Sequence, residues 1–408
     1  MSLQALDRAL EAETAALAAE GRAKPPERVI TGYLPPEGDR GPRYRLQGSE
    51  RLFLRMNAND YLSLSHHPAT LRAAEQASRE LGVGPGAVRF IDGTFAPHVA
   101  LEAAVARFLG KEAARIFSSA YAANLGLALA ITHPRTFWIG DALNHNSIIR
   151  AQRIAGVPPE RRAVYAHNDI DDLGRRLAAV PEGIERVIVV FDGVFSMRGD
   201  HAPLAEIVRV LAPHRERYPG GLVTVMDDSH GIGAFGATGR GAAEVCGETA
   251  DIVVGTFGKA FGANGGFVAA SAAVIEALRQ RADTTIYSNP PGVGDCAAAR
   301  EALRICDGPE GRARLARLQE LAGRLRRGVS ALGGRTLPGT HPIVPLLTGD
   351  TGRTRRLVEH LHGREILATG LAYPVVPRGE ETVRFQVNAD HTPADIDRVL
   401  AALDTFRW

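Results

Sequence analysis

The sequence predicts an α/β protein with a large, doubly wound, mostly parallel sheet, a smaller α/β domain toward the C-terminus and an N-terminal arm. Three observations carry this prediction. Short apolar β-type runs, Arg115–Phe117, Phe137–Ile139, Arg186–Phe191, Leu222–Met226 and Asp251–Val254, alternate with helical stretches. Several of these runs end in polar residues, as strands do when their carboxyl ends face a ligand. Finally, 408 residues with 45% hydrophobic content can bury a sizeable core, expected as an arm with a hairpin over 1–56 and domains over 57–291 and 292–408.

In chain order, Leu3, Leu6, Leu10 and Leu17 recur at helical spacing, and the pattern breaks at Lys24-Pro25-Pro26, which reads as an amphipathic arm. A proline- and glycine-rich loop leads to a hairpin over Tyr44–Met56 around Gly48. Arg40, Arg43, Arg45 and Arg51 cluster here; they could meet an anionic substrate such as a nucleotide-bearing thioester, but a solvated charge run is the safer reading. Asn57–Leu62 turns polar residues toward a cavity, and helices follow at about Pro68–Leu81 and Val99–Leu109, separated by the flexible Gly82–Gly86 passage. Ser118-Ser119-Ala120-Tyr121 converts a strand into a helix running through Ala130. Such a start can hold an anion on free N–H groups, and serine there is equally an ordinary cap. Toward the C-terminus, Gly308–Gly311 breaks helical sequence, Arg312–Leu332 is an amphipathic helix, and strands near Ile343–Leu347 and Val383–Val387 flank a helix around Thr354–His362.

Composition removes several function classes. A net charge of +2 argues against nucleic-acid binding, which needs concentrated basic surface. Cys246, Cys296 and Cys306 are odd in number and lack metal-type spacing, so no metal and a reduced, cytoplasmic setting are expected. Asp7, Glu11, Glu13 and Glu20 are incompatible with a secretory leader over those residues, and no apolar run approaches membrane-spanning length.

The chemistry concentrates between Val223 and Phe267, where two carboxylates, a histidine and a lysine sit at the ends of apolar runs among glycines. This suits a planar, phosphorylated, electron-withdrawing cofactor held covalently by a lysine. Only Lys24, Lys111 and Lys259 are lysines among 48 basic residues, so Lys259 stands where arginine cannot substitute: only a primary amine forms a Schiff base. Thr256 could reach a phosphate. Asp227 ends a strand and could keep a pyridine nitrogen protonated. His230, three residues on, would act as hydrogen-bond donor or acid-base group, and His145, after another strand end, could stack on a flat ring. Asp192 and Ser196 fall at the same sheet edge. Four strand ends thus send polar residues to one place.

Taken in order, Asn59–Leu62, Asp141–Ile149, Asp192–Asp200, the glycine-rich run that holds Asp227 and Lys259, and Tyr373–Gly379 ahead of Val383–Thr392 resemble the α-oxoamine synthase family. These are fold-type-I pyridoxal-phosphate transferases that condense an amino acid with an acyl-CoA thioester. The resemblance implies that Lys259 carries the cofactor, Asp227 pairs with its ring nitrogen, His230 lies near its phenolic oxygen, His145 stacks on it and Ser196 lines the site. Thr256, Ala120, Tyr121 and Asn124 would serve the phosphate; Asn59 and Arg384 would hold the amino-acid carboxylate; Ser288 would reach the phosphate of a neighbouring subunit in a homodimer. Most segments resemble members that use glycine and a short acyl-CoA, whereas Gly93–Phe95 and Tyr121–Gly126 resemble members with another amino acid and a longer chain. The acyl donor could also be a carrier-protein thioester. A fold-type-I aminotransferase would share Lys259 and Asp227, and a non-catalytic partner subunit would ordinarily lack the lysine. Arg198, where the family usually has an acidic residue, Pro290-Pro291-Gly292 and Thr382 depart from the family pattern and bear on the acyl and CoA contacts.

Overall fold

The computed structural model describes residues 2–20, 22–373 and 375–408; Pro374, within the Tyr373–Gly379 motif, lies outside the described residues. Strands β1 (Ile30–Leu34), β2 (Arg43–Leu46) and β3 (Leu52–Arg55) form an antiparallel meander. Next come β4 (Ala113–Phe117), β5 (Thr136–Asp141), β6 (Arg162–Tyr165), β7 (Arg186–Asp192), β8 (Leu222–Asp227), β9 (Ile252–Thr256) and β10 (Gly266–Ala270). They build one seven-stranded sheet in the order β4-β10-β9-β8-β7-β5-β6, parallel from β9 to β6 and antiparallel where β10 meets β4 and β9. Then β11 (Ile343–Leu347), β13 (Thr369–Leu371) and β14 (Thr382–Gln386) make a three-stranded sheet, while β12 (Ile366–Leu367) runs parallel to β3.

Strand β7 shows why the large sheet is covered on both faces. Val187, Val189 and Phe191 belong to one buried cluster and Ile188 and Val190 to the other, so the alternating side chains of one strand anchor two cores. At about 1.5–3 kcal/mol per buried aliphatic side chain, this two-sided burial fixes the strand's register and hence where its polar end falls.

Local signals set the helix ends. The helix Pro68–Leu81 begins with His67, whose Nδ1 accepts from the Ala69 amide at 3.2 Å, takes proline in its first turn and stops at Gly82 with φ 85°. The helix Ala120–Ile131 is capped by Ser119, which accepts from the Ala122 amide at 3.0 Å. Gly266 on β10 passes so close to Ala120 that any β-carbon there would strike the helix backbone. That glycine lets the helix start sit against the sheet.

Three features differ from the sequence reading. The helix Ser2–Ala19 forms as expected, yet none of its residues is buried, so its leucine stripe touches no core within the chain. Strand β10 and the helix after it, Ala272–Arg281, were not anticipated, because a glycine- and alanine-rich run carries little periodic signal. The arginine cluster is largely committed within the chain: buried Arg43 pairs with Asp395 at 2.5 Å, Arg40 with Glu37 at 2.9 Å and Arg51 with Glu365 at 2.8 Å. Neither an anion site nor a purely solvated run describes Arg43, which ties the hairpin to the capped helix Pro393–Asp404. Among the described residues, no helix is long and apolar enough to cross a membrane.

Candidate active site

The parallel strands deliver the site at their carboxyl ends. Beyond β5 lie His145 and Ser147, at the end of β7 Asp192, at the end of β8 Asp227 followed by Ser229 and His230, and at the end of β9 Thr256 followed by Lys259. Together with Ala120, Tyr121, Val194 and Ser196 they line one cavity of about 240 Å³. The structure therefore gathers eight of the twelve expected site residues around a single space.

The other four lie elsewhere. Asn124, expected with the phosphate turn, instead donates from Nδ2 to Asp227 Oδ2 at 2.7 Å and to Ser147 Oγ at 2.9 Å. It sits one helical turn inward from Ala120 and is buried, so it reaches the carboxylate and not the helix mouth. Arg384, on β14, is joined to the cavity wall through Ser196, whose carbonyl oxygen accepts from Nη1 at 2.7 Å. Asn59 Oδ1 is engaged by the Gln386 amide. Ser288, after the short helix Asp283–Ile286, does not line this cavity.

Charge in the site is held under tension. Burial lowers the Lys259 ammonium to about 8, against the pull of Asp227 and Asp192. Burial, and then the proximity of Asp227, raises Asp192 well above the usual carboxylate range, although its Oδ2 accepts from the His145 amide at 2.9 Å. His145 is lowered chiefly by burial, and its Nδ1 lies 2.7 Å from Ser147 Oγ. His230 is driven well below its ordinary value by burial first, then by Lys259 and Arg384. Behind these residues, Asp228 is packed so tightly that β-carbons on Gly193, Gly231 or Gly241 would strike it, and burial lifts it to about 7.

Sequence reasoning assigned no role to several neighbours of these groups. Tyr61 Oη lies 2.8 Å from His230 Nδ1, and His341 Nε2 lies 2.8 Å from the His230 carbonyl oxygen. Ser147, Ser229 and Gln386 also belong to this shell. Tyr61 lies inside the Asn59–Leu62 motif, but the sequence does not reveal its partner.

Residues 52–403 match the aminotransferase class I and II family. With its large, mostly parallel sheet, the chain has the fold of a fold-type-I pyridoxal-phosphate enzyme. The 8-amino-7-oxononanoate synthase of Thioalkalivibrio sulfidiphilus is 38% identical over 371 residues, covering 90% of this chain and 91% of that protein. The human mitochondrial 2-amino-3-ketobutyrate coenzyme A ligase is 38% identical over 384 residues, covering 92% and 86%. Among solved structures, the serine palmitoyltransferase of S. paucimobilis with a bound PLP–myriocin aldimine superposes with a TM-score of 0.85 at 28% identity, over 97% of this chain and 96% of that one. The chain belongs to the α-oxoamine synthases of the aminotransferase class I and II family.

Pyridoxal phosphate is the cofactor of this class, and the residues present fit it. A phosphate would find the amino end of the helix Ala120–Ile131, whose first two residues line the cavity, together with the Thr256 hydroxyl. An aldehyde would find the one lysine in the cavity, with its ammonium already lowered to about 8. A cationic ring nitrogen would find Asp227, a buried carboxylate whose remaining contacts are the Asn124 amide and the Ser229 N–H at 3.1 Å, with no basic side chain paired to it among the described residues. A buried carboxylate lacking a cation is otherwise costly.

Proposed function

We propose that this enzyme condenses an amino acid, glycine in the first instance, with a short acyl-CoA thioester and releases CoA, as in a glycine C-acetyltransferase. The observation that carries the reading is Arg384: it borders the cavity through Ser196, has no carboxylate partner among the described residues, and its Nε is buried without a hydrogen bond. A guanidinium left in that state suits the carboxylate of an incoming amino acid.

Pyridoxal phosphate, when bound, supplies an electron sink for the pair left on the amino acid's Cα. The chain's residues do the rest. Lys259 would hold the cofactor and, once displaced by the substrate amine, take the Cα proton on Nζ; an amine lowered to about 8 is suited to that exchange. Asp227, fixed by Asn124 and the Ser229 amide, would keep the ring nitrogen protonated. His145 would cover one face of the ring, and Thr256, Ala120 and Tyr121 would hold the phosphate. Arg384 and Asn59 would clamp the carboxylate so that the Cα–H bond is the one presented for cleavage. His230 would polarise the thioester carbonyl.

The active unit in this reading is a homodimer. Exposed Val83, Phe90, Ile91 and Tyr287 support it: His98 Nε2 meets the Pro291 carbonyl oxygen at 2.9 Å, and a β-carbon on Gly292 would lie 3.0 Å from the Val83 carbonyl oxygen, so the segments that carry these exposed apolar side chains run close together. Tyr121 lines the cavity and is itself 42% exposed. Ser288, next to Tyr287, would reach the phosphate of the partner's site. Light scattering of the purified protein should give twice the chain mass of 43.6 kDa; a monomer would remove Ser288 from the site.

The substrate test is a grid of amino acids against acyl-CoA esters of increasing length, read by free-thiol release. Glycine with acetyl-CoA is expected to give the highest kcat/KM. Thiol release restricted to another amino acid or to long chains would replace the substrate assignment, and amino transfer to a keto acid without thiol release would replace the reaction.

A further inference from the structure

His230 is held at two points by residues remote in the sequence. Tyr61, wholly buried after the hairpin, places Oη 2.8 Å from Nδ1 of the ring, while His341, wholly buried ahead of β11, places Nε2 2.8 Å from the His230 backbone oxygen. The rings of Tyr61 and His341 meet edge to face, 5.5 Å between centroids at 82°. Phe235 also packs on His341, with ring centroids 5.5 Å apart. The two anchors therefore brace each other as well as His230.

His341 Nδ1 accepts from the Ile343 amide at 3.1 Å, so its proton is on Nε2, which donates to the His230 carbonyl oxygen. The Gln386 amide donates toward the Tyr61 oxygen, and the one proton of Tyr61 has His230 Nδ1 at 2.8 Å and Asn59 Oδ1 at 3.4 Å as acceptors. The second is beyond the usual O–H···O range of about 2.5–3.0 Å, and Asn59 Oδ1 already receives the Gln386 amide. The proton of Tyr61, a phenol that burial pushes up to about 12, thus goes to His230 Nδ1. His230 Nε2 makes no hydrogen bond among the described residues, and the ring lines the cavity.

We propose that Tyr61 and His341 are positioning residues that lock His230 as the neutral Nε2–H tautomer, so that it presents a fixed hydrogen-bond donor to the cavity and does not exchange protons during the reaction. This rests on the reaction assigned above only for what the donor meets; the tautomer is a property of this chain. The groups facing His230 act in the same direction. Lys259, Arg384, His341 and His145 all disfavour a second proton on the ring, and burial disfavours it most. A donor fixed in a dry site stabilises charge growing on a carbonyl oxygen without reorganising at the moment of reaction.

The test is magic-angle-spinning 15N NMR of the holoenzyme labelled at histidine, with His230→Gln subtracted to assign the signal. His230 should show a protonated Nε2 and a bare Nδ1, unchanged between about pH 6 and pH 9. In Tyr61→Phe the two tautomers should mix, and kcat should fall about 10- to 100-fold, with KM for the amino acid within about threefold of wild type. His341→Gln, which retains an N–H donor, should preserve more activity than His341→Ala. A wild-type His230 that carries its proton on Nδ1, or titrates within that range, would overturn the proposal, as would a Tyr61→Phe enzyme with unchanged tautomer and turnover. The wild-type spectrum decides the matter even if Tyr61→Phe does not fold, and it is independent of which substrates the enzyme takes.

Discussion

Asn124 Nδ2 and Asp227 Oδ2 meet at 2.7 Å across 103 residues of sequence, joining the helix that opens on the cavity to the strand end that supplies its carboxylate. Both groups are buried, so the amide fixes the orientation of the carboxylate and satisfies one of its lone pairs. Asn124→Ala leaves that lone pair without a partner, while Ser229 N–H still serves the other oxygen. Turnover should fall about 10-fold and stability by about 1–3 kcal/mol, whereas Asp227→Asn should cost roughly 100-fold or more in kcat. Steady-state kinetics and urea denaturation of the two variants check the ordering.

Lys259 burdens the cofactor-free fold. Its folded value of about 8 lies below the ordinary 10.5, so below pH 8 folding must bury a charged ammonium, and the penalty fades as pH rises from 8 toward 10.5. Lys259→Met should therefore stabilise the cofactor-free protein at neutral pH by roughly 1–3 kcal/mol, with the advantage shrinking at higher pH. Urea titrations at both pH values read the difference directly, and a less stable variant at neutral pH would show that the site tolerates the charge.

His167 has the opposite sign. Burial opposes its protonation, but hydrogen bonds to Asp141 at 3.0 Å and Asp200 at 3.1 Å prevail and raise it to about 9 from 6.5. Its contribution to stability is complete below pH 6.5 and is lost as pH climbs through about 9. Asp200 also binds Arg198, which reaches Glu380 at 2.6 Å, so the chain of charges links the loop after β7 to the loop before β14. Wild-type Tm should drop across this alkaline range more steeply than that of His167→Asn; parallel curves would show that the imidazolium contributes nothing.

Arg384→Lys tests the carboxylate clamp. Lysine keeps the charge but loses the fork and the reach to the Ser196 carbonyl oxygen. KM for the amino acid should rise about 10- to 100-fold, with KM for the acyl-CoA changing little. An equal rise in both would place Arg384 outside the amino-acid site.

Much of the architecture was legible because β-runs buried on both faces announce themselves, as Val187–Phe191 does, and because a carboxylate closing such a run has few structural uses. The contacts made by Asn124, Tyr61 and His341 were not legible for a different reason. Tyr61 and His230 are separated by 169 residues and His341 and His230 by 111, and nothing local to any of them specifies the pairing. Asn124 reads as part of a phosphate turn because it follows the helix start so closely, and only the three-dimensional path of that helix shows that its fifth residue, Asn124, faces Asp227. Antiparallel β10 escaped because Gly266-Phe267-Val268-Ala269-Ala270 owes its place to close packing by a glycine.

The proposed chemistry depends most on the covalent attachment of pyridoxal phosphate to one side chain. Hydride reduction of the holoenzyme, followed by peptide mass mapping, reads this without ambiguity because the sequence offers only Lys24, Lys111 and Lys259. The cofactor mass is expected on the peptide containing Lys259 and on neither of the others. A reduced protein that carries no added mass, or carries it on Lys24 or Lys111, would contradict the site described here.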